Sequence, residues 1–115
     1  MLIPTGFSQR SLETTLGSIV YYSNNDSFWL SASPFDRPSL VFLHGFGGGS
    51  SAYEWSKVYP AFASEYQILA PDLIGWGRSA HPERNYQVED YITTIIEFLE
   101  KSTSGPVPVI ASSLT

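Results

Sequence analysis

The stretch Ser39-Leu40-Val41-Phe42-Leu43-His44-Gly45-Phe46-Gly47-Gly48-Gly49-Ser50 holds the key to the fold. Its first five residues are a nearly unbroken apolar run stopped by glycines, the pattern of a short strand buried on both faces. The loop that follows has four glycines in five positions, Gly45 to Gly49, so its backbone can take shapes and close approaches that side chains would forbid. Such a loop also leaves main-chain N–H groups able to point at an anion.

Working outward, Gln67 to Ala70 is a second short apolar strand ending at Pro71 and Asp72, and Val107 to Ala111 begins a third. Between the first two lies a helical pattern, Tyr53 to Ser64, with Trp55, Val58, Tyr59 and Phe62 at helical spacing and Pro60 forcing a late start or a kink. Between the last two is the clearest helix, Tyr86 to Lys101. Its Val88, Tyr91, Ile92, Ile95, Ile96 and Leu99 are expected to line one buried face, with Glu89 and Asp90 in the first turn and Lys101 in the last. Strand, helix, strand, helix, strand predicts a parallel sheet covered by helices. Ahead of it, Ser11 to Leu16 and Ser18 to Tyr22 read as an antiparallel pair around Gly17, closed by a turn at Asn24, Asn25 and Asp26. Ser27 to Ser39 reads as a loop whose Phe28, Trp29 and Leu30 tuck onto the body.

Composition narrows the function classes. The 115 residues carry a net charge of −5, with six Lys and Arg against eleven Asp and Glu, and are 43% hydrophobic and 15% aromatic. That is a folded chain and not a disordered one. Its basic residues are scattered, which argues against nucleic acid as a partner. Without cysteine there is no disulfide, thiolate metal site or cysteine nucleophile. Met1 to Arg10 lacks the layout of a secretory signal, and no run approaches the roughly 18 apolar residues of a membrane span, so a soluble cytoplasmic protein is expected.

In an open parallel sheet, ligands bind at the carboxyl ends of the strands. Three loops meet there. In the first, Gly47, Gly49 and Ala52 fit a dinucleotide spacing, with Asp72 twenty residues further on; a ligand-free glycine turn fits as well. In the second, Pro71 to Ser79, Asp72 reads as a ribose ligand or as an acceptor fixing a tight turn. No neighbouring His or carboxylate gives metal-ligand spacing, so no metal is expected. His81 reads as a surface loop histidine. In the third, Ala111-Ser112-Ser113-Leu114-Thr115, a nucleophile at a sharp strand-to-helix turn needs small residues two positions away on each side. Ser113 is flanked by Ala111 and Thr115, Ser112 by Ile110 and Leu114, so Ser113 is the candidate. A serine capping the next helix fits the same place.

Taken in order, three motifs make the sequence resemble the amino-terminal half of the α/β-hydrolase superfamily, in its branch of serine esterases, carbon-carbon bond hydrolases and cofactor-free haloperoxidases. They are Leu43-His44-Gly45-Phe46-Gly47, Ala70-Pro71-Asp72-Leu73-Ile74-Gly75-Trp76-Gly77-Arg78-Ser79, and Val109-Ile110-Ala111-Ser112-Ser113-Leu114. The resemblance implies an incomplete α/β-hydrolase fold, a mostly parallel sheet with an antiparallel amino-terminal strand pair and helices on both faces. Residues 1–115 would be the amino-terminal part of one domain, ending just after the nucleophile elbow.

The resemblance also implies Ser113 as the nucleophile, forming an acyl-enzyme on a carbonyl substrate, with backbone amides of Phe46 and Leu114 as the oxyanion hole. His44, Gly45 and Gly47 would be structural members of the oxyanion loop, and His44 not the general base. No cofactor is implied, and the substrate would be a small molecule of apolar leaning, since Phe46 and Trp76 stand at the mouth. A serine here disfavours the epoxide-hydrolase and haloalkane-dehalogenase relatives, which place a carboxylate nucleophile at this point. Two departures stand out. Thr115 replaces the usual second glycine of Gly-x-Ser-x-Gly, which keeps a non-catalytic binding module on the same scaffold as an alternative, with a dinucleotide-binding domain behind it. The triad acid and histidine follow the nucleophile in this family, and none follows Ser113, so the 115 residues alone are expected to be inactive and to fold poorly.

Overall fold

The computed structural model describes residues 6–24, 38–45, 51, 55, 58–63, 65–81, 86–103 and 106–111. Among these, five strands form one mixed sheet in the order β1-β2-β4-β3-β5. β1 (Phe7–Thr14) and β2 (Gly17–Asn24) pair antiparallel from Phe7–Asn24 to Thr14–Gly17. The strands are longer than the apolar runs suggest, and the turn is Thr15-Leu16. Gly17 is already the first residue of β2 at φ +126, where an added Cβ would come within 2.6 Å of the Ala80 side chain.

β2 lies antiparallel to β4 (Gln67–Pro71) through Tyr21–Pro71 and Tyr22–Ala70. β4 runs parallel to β3 (Ser39–Leu43), and β3 runs parallel to β5 (Val109–Ala111). The expected parallel trio and antiparallel amino-terminal pair are both present, with β3 in the middle of the trio. β5 starts two residues later than the apolar run, past Pro108, whose carbonyl accepts the Val41 N–H at 3.1 Å.

Strand alternation divides the core in two. Leu40 and Phe42 join Val20, Tyr22, Ile68, Ala70 and Ala63 on one face, flanked by Trp55 and Tyr66. Val41 and Leu43 join Ile19, Leu69, Leu73, Ile74 and Phe98 on the other. The first face is covered by a segment that includes a single 3-10 turn, Tyr59–Phe62, with Pro60 in its opening positions. Within the helix expected over Tyr53 to Ser64, the described residues contain this short turn and Trp55, also in 3-10 conformation, and Pro60 stands where a helix start tolerates it, so the proline marks a late start.

The second face is covered by α1 (Val88–Ser102). The Asp90 carboxylate accepts the Gln87 N–H at 2.8 Å at its start, and the Thr103 N–H and hydroxyl both donate to the Leu99 carbonyl at its end. Of the expected apolar face, Tyr91, Ile95 and Leu99 pack against the second core, while the other three residues need correction. Val88, Ile92 and Ile96 are 70%, 52% and 48% exposed, whereas Thr94 and Phe98 are buried against the sheet. Thr94 can be buried because its hydroxyl donates to the Asp90 carbonyl within the helix at 2.8 Å. α1 is also tied to the β1–β2 turn, where Glu97 accepts the Thr15 N–H at 2.8 Å and the Thr15 hydroxyl, and Lys101 donates to the Glu13 carbonyl.

Asn24 is a second correction. It is the last residue of β2 and fully buried, not part of an exposed turn. Its amide donates to the carbonyls of Ala63 at 2.9 Å and Tyr66 at 3.0 Å, and its Oδ1 accepts from the Ile68 N–H at 3.0 Å and from Gln67 Nε2 at 2.8 Å. One side chain thus anchors the segment that leads into β4. Asn25, Asp26 and the loop to residue 37, with Phe28, Trp29 and Leu30, lie outside the described residues.

Candidate functional site

β3 and β4 end side by side, and the first residues beyond them meet. His44, immediately after β3, is fully buried. Its Nε2 accepts the N–H of Leu73, two residues past β4, at 3.0 Å. Accepting there leaves the ring proton on Nδ1, which faces the Gly45 carbonyl at 2.8 Å. Both ring nitrogens are engaged, so His44 has the geometry of a loop-fixing residue and has no nitrogen left to serve as a base. The ring of Trp76 stands edge-on to it, with centroids 5.9 Å apart. Behind it, Trp55 Nε1 donates to the Leu43 carbonyl at 3.1 Å, holding the last residue of β3.

Asp72 is also fully buried. Its N–H donates to the Val20 carbonyl at 2.8 Å, and its Oδ2 accepts the Arg78 N–H at 3.0 Å and faces the Tyr22 hydroxyl at 3.4 Å. Ser79 closes the loop: its hydroxyl donates to the Asp72 carbonyl and accepts the Val20 N–H at 2.8 Å. Of the two sequence readings of Asp72, this is the turn-fixing acceptor. Burial, together with the Asp72 charge and hydrogen bond, pushes the Tyr22 phenol up to about 12, with Arg78 pulling the other way. Ser79 belongs to the same loop as Asp72 in sequence, but Tyr22 was not legible as a member of this cluster, since it lies fifty residues from Asp72. Gly77, at φ +52 and pressed against the Asp72 carboxyl group, is the one signal that could have announced it.

β5 contributes through its register. Val41, Phe42 and Leu43 pair in parallel with Val109, Ile110 and Ala111, so β3 and β5 end level with each other. The strand ends that precede His44 and Ser112 in sequence therefore stand at the same height on adjacent strands. Of the predicted site residues, His44 and Gly45 are brought together as described. Phe46, Gly47, Ser113 and Leu114 lie outside the described residues.

His81 is exposed, with Nε2 3.0 Å from the Gly77 carbonyl. Among the described residues no group of three or more His, Asp or Glu could hold a metal ion, and no helix is long and apolar enough to cross a membrane.

The sequence profile of the alpha/beta hydrolase fold family matches residues 38–114. Among curated relatives, a haloalkane dehalogenase of Mesorhizobium japonicum is 35% identical over 64% of this chain and 23% of the relative. The 2-hydroxy-6-oxo-6-(2'-aminophenyl)hexa-2,4-dienoic acid hydrolase of Metapseudomonas resinovorans is 29% identical over 65% of this chain and 27% of the relative. The solved Cif epoxide hydrolase of Acinetobacter nosocomialis superposes with a TM-score of 0.80 at 23% identity, over 98% of this chain and 32% of that one. The chain thus spans about a quarter of these curated relatives and about a third of the solved one.

Proposed function

Because the chain belongs to the alpha/beta hydrolase fold family, we propose that residues 1–115 are the amino-terminal part of a single hydrolase domain whose nucleophile is Ser113. The observation that supports this reading is the Leu43–Ala111 pairing: β3 and β5 end level with each other, and the glycine-rich and serine-bearing motifs follow those two strand ends in sequence. In this reading the Ser113 hydroxyl oxygen bonds to the carbonyl carbon of an ester or related substrate. The backbone amides of Phe46 and Leu114 receive the negative charge on the carbonyl oxygen, the leaving group departs with a proton, and water then releases the acyl group. Each oxyanion donor supplies roughly 3 kcal/mol of transition-state stabilisation.

The similarity to a haloalkane dehalogenase and a dienoic acid hydrolase supports hydrolytic chemistry on this scaffold. Ser112-Ser113-Leu114-Thr115, which has no carboxylate, supports a serine in place of an aspartate nucleophile. The base is neither His44, whose nitrogens are both engaged, nor His81 on the exposed loop. It and its acid partner are expected carboxyl-terminal to Ser113, so the 115 residues alone turn nothing over. Substrates are small and apolar in leaning, with Trp76 beside the site.

The test is hydrolysis of short p-nitrophenyl esters by the gene product that contains these residues, compared with its Ser113→Ala and Ser112→Ala variants. Loss of turnover in Ser113→Ala with retention in Ser112→Ala supports the reading. Thr115, β-branched where a glycine is usual, favours a second reading as a non-catalytic binding module. That reading gains if a folded gene product shows no turnover on any ester tried.

A further inference from the structure

We propose that Trp55 is a positioning residue: its indole N–H, held from the first core, fixes the carbonyl with which β3 ends on the side of β5. The inference rests on the reading that the reacting groups follow the ends of these two strands. Within a strand, the N–H and C=O of one residue point to the same neighbour, and those of the next residue to the other. The Val41 N–H donates to the Pro108 carbonyl at 3.1 Å, so Val41 and Leu43 present their backbone groups to β5. The Gln67 N–H, donated to the Pro38 carbonyl at 2.8 Å, gives the complementary parity, with Leu40 and Phe42 turned to β4. Leu43 is the last residue of β3 and pairs with Ala111, the last of β5. Its carbonyl is therefore the final acceptor that β3 offers toward β5, and Trp55 Nε1 donates to it at 3.1 Å.

The indole grips two successive residues of β3. Its ring packs against the first core, with its centroid 5.4 Å from that of Phe42, while its N–H reaches Leu43. Phe42 and Leu43 are both buried, so the ring contact and the hydrogen bond are shielded from water. Sliding β3 along β5 would break both together. Trp55 lies twelve residues past Leu43, so the bond also joins the chain positions on either side of residues 44–54. What Trp55 controls is thus the level at which β3 ends against β5. In the reaction proposed above, groups that follow both strand ends act on one carbonyl, and a misplacement of about 1 Å costs such a site about 100-fold in rate.

Trp55→Phe keeps an aromatic ring against Phe42 and removes the donor. In the gene product it is expected to lower kcat on p-nitrophenyl butyrate about tenfold with KM within about twofold, the partial misplacement that loss of one anchor allows. Hydrogen exchange of the Leu43 amide, which shares the β5 side with the gripped carbonyl, should quicken about tenfold or more. That of Leu40, turned to β4, should stay within about twofold. Asn24→Ala, which removes hydrogen bonds at the start of β4, is the comparison for a merely structural loss, and it should destabilise the protein with kcat within about twofold. Unchanged exchange at Leu43 in a folded Trp55→Phe variant, or a fall in kcat matched by Asn24→Ala, overturns the proposal. If Trp55→Phe does not fold, the parent decides: a scalar coupling between Trp55 Nε1 and the Leu43 carbonyl carbon is expected, and its absence overturns the proposal as well. Survival of turnover in Ser113→Ala would instead remove the serine reading, and exchange at Leu43 would still decide what Trp55 holds.

Discussion

Asp72 fills the space that a side chain at Gly77 would need. Gly77 lies at φ +52, and a Cβ built there would overlap the carboxyl carbon and both oxygens of Asp72. The same carboxylate accepts the Arg78 N–H, so the close approach is what lets the turn close. Gly77→Ala should therefore destabilise the folded protein by about 2 to 3 kcal/mol, combining left-handed strain with the overlap. Chemical denaturation in both the parent and an Asp72→Ala background checks the cause. Equal losses in the two backgrounds would show that the carboxylate is not responsible.

Asn24 makes a second prediction. Its amide satisfies the carbonyls of Ala63 and Tyr66 and the N–H of Ile68, all in the interior around β4. Asn24→Ala strands these backbone groups and should cost about 2 to 4 kcal/mol, since an orphaned buried partner loses about 1 to 3 kcal/mol. Asn24→Asp should do no better, because it turns an acceptor toward two carbonyls. A midpoint shift within error of the parent in urea unfolding would show that water replaces the side chain.

These two residues mark where the sequence was legible. β3 appeared with its observed bounds because an apolar run ended by glycine has one reading, and β4 differed only by including Pro71. Asn24 was misread because an Asn-Asn-Asp string is a turn signal locally, while its real partners are some forty residues away at Ala63, Tyr66 and Ile68. The α1 stripe was misread for another reason. Nearly half of that helix is apolar, a stripe wider than the sheet can cover, and only the sheet decides that Phe98 and Thr94 face inward while Ile92 and Ile96 do not. At the site, His44 and Gly45 could be named from their motif. The Leu73 bond that orients His44, and the Tyr22–Asp72 pair, depend on which strands become neighbours, and sheet order is not written in local periodicity.

The Tyr22 phenol gives an alkaline prediction. It is raised from 10.0 to about 12 in the fold, so between those values the native state keeps a proton that the unfolded chain has lost. Stability linked to Tyr22 is fully present below about pH 10 and declines as pH rises toward 12. Unfolding midpoints followed across this range should fall less steeply in Tyr22→Phe than in the parent. Parallel curves would mean that the phenol is not held in its neutral form.

Glu97 gives the acidic counterpart. The Thr15 hydroxyl first, then the Thr15 N–H, and Lys101 after them hold its carboxyl below the ordinary carboxylate value. A depressed folded value means that its stabilising contribution is present above the unfolded carboxyl value and is lost as pH falls through the folded one. An NMR titration of the Glu97 side chain should show this midpoint moving up in Thr15→Val. A midpoint unmoved by that substitution would assign the shift to the residue 15 N–H and Lys101, and not to the hydroxyl.

The last prediction concerns the 115 residues by themselves. Ile92 and Ile96 on α1, and Val109 and Ile110 on β5, are between 37% and 52% exposed. β5 also pairs on one side only among the described residues. An exposed apolar helix stripe and an apolar edge strand are each surfaces that associate, either with more chain or with copies of the same chain. The chain spans about a quarter to a third of the relatives, and in the reading proposed above the remainder of the domain would cover this surface. The isolated 115 residues should therefore self-associate and melt without a cooperative two-state transition. Ile92→Glu with Ile110→Lys should raise the monomer fraction in sedimentation while leaving α1 helical. A monomeric parent whose calorimetric and van't Hoff enthalpies agree would show that these residues close a stable core unaided.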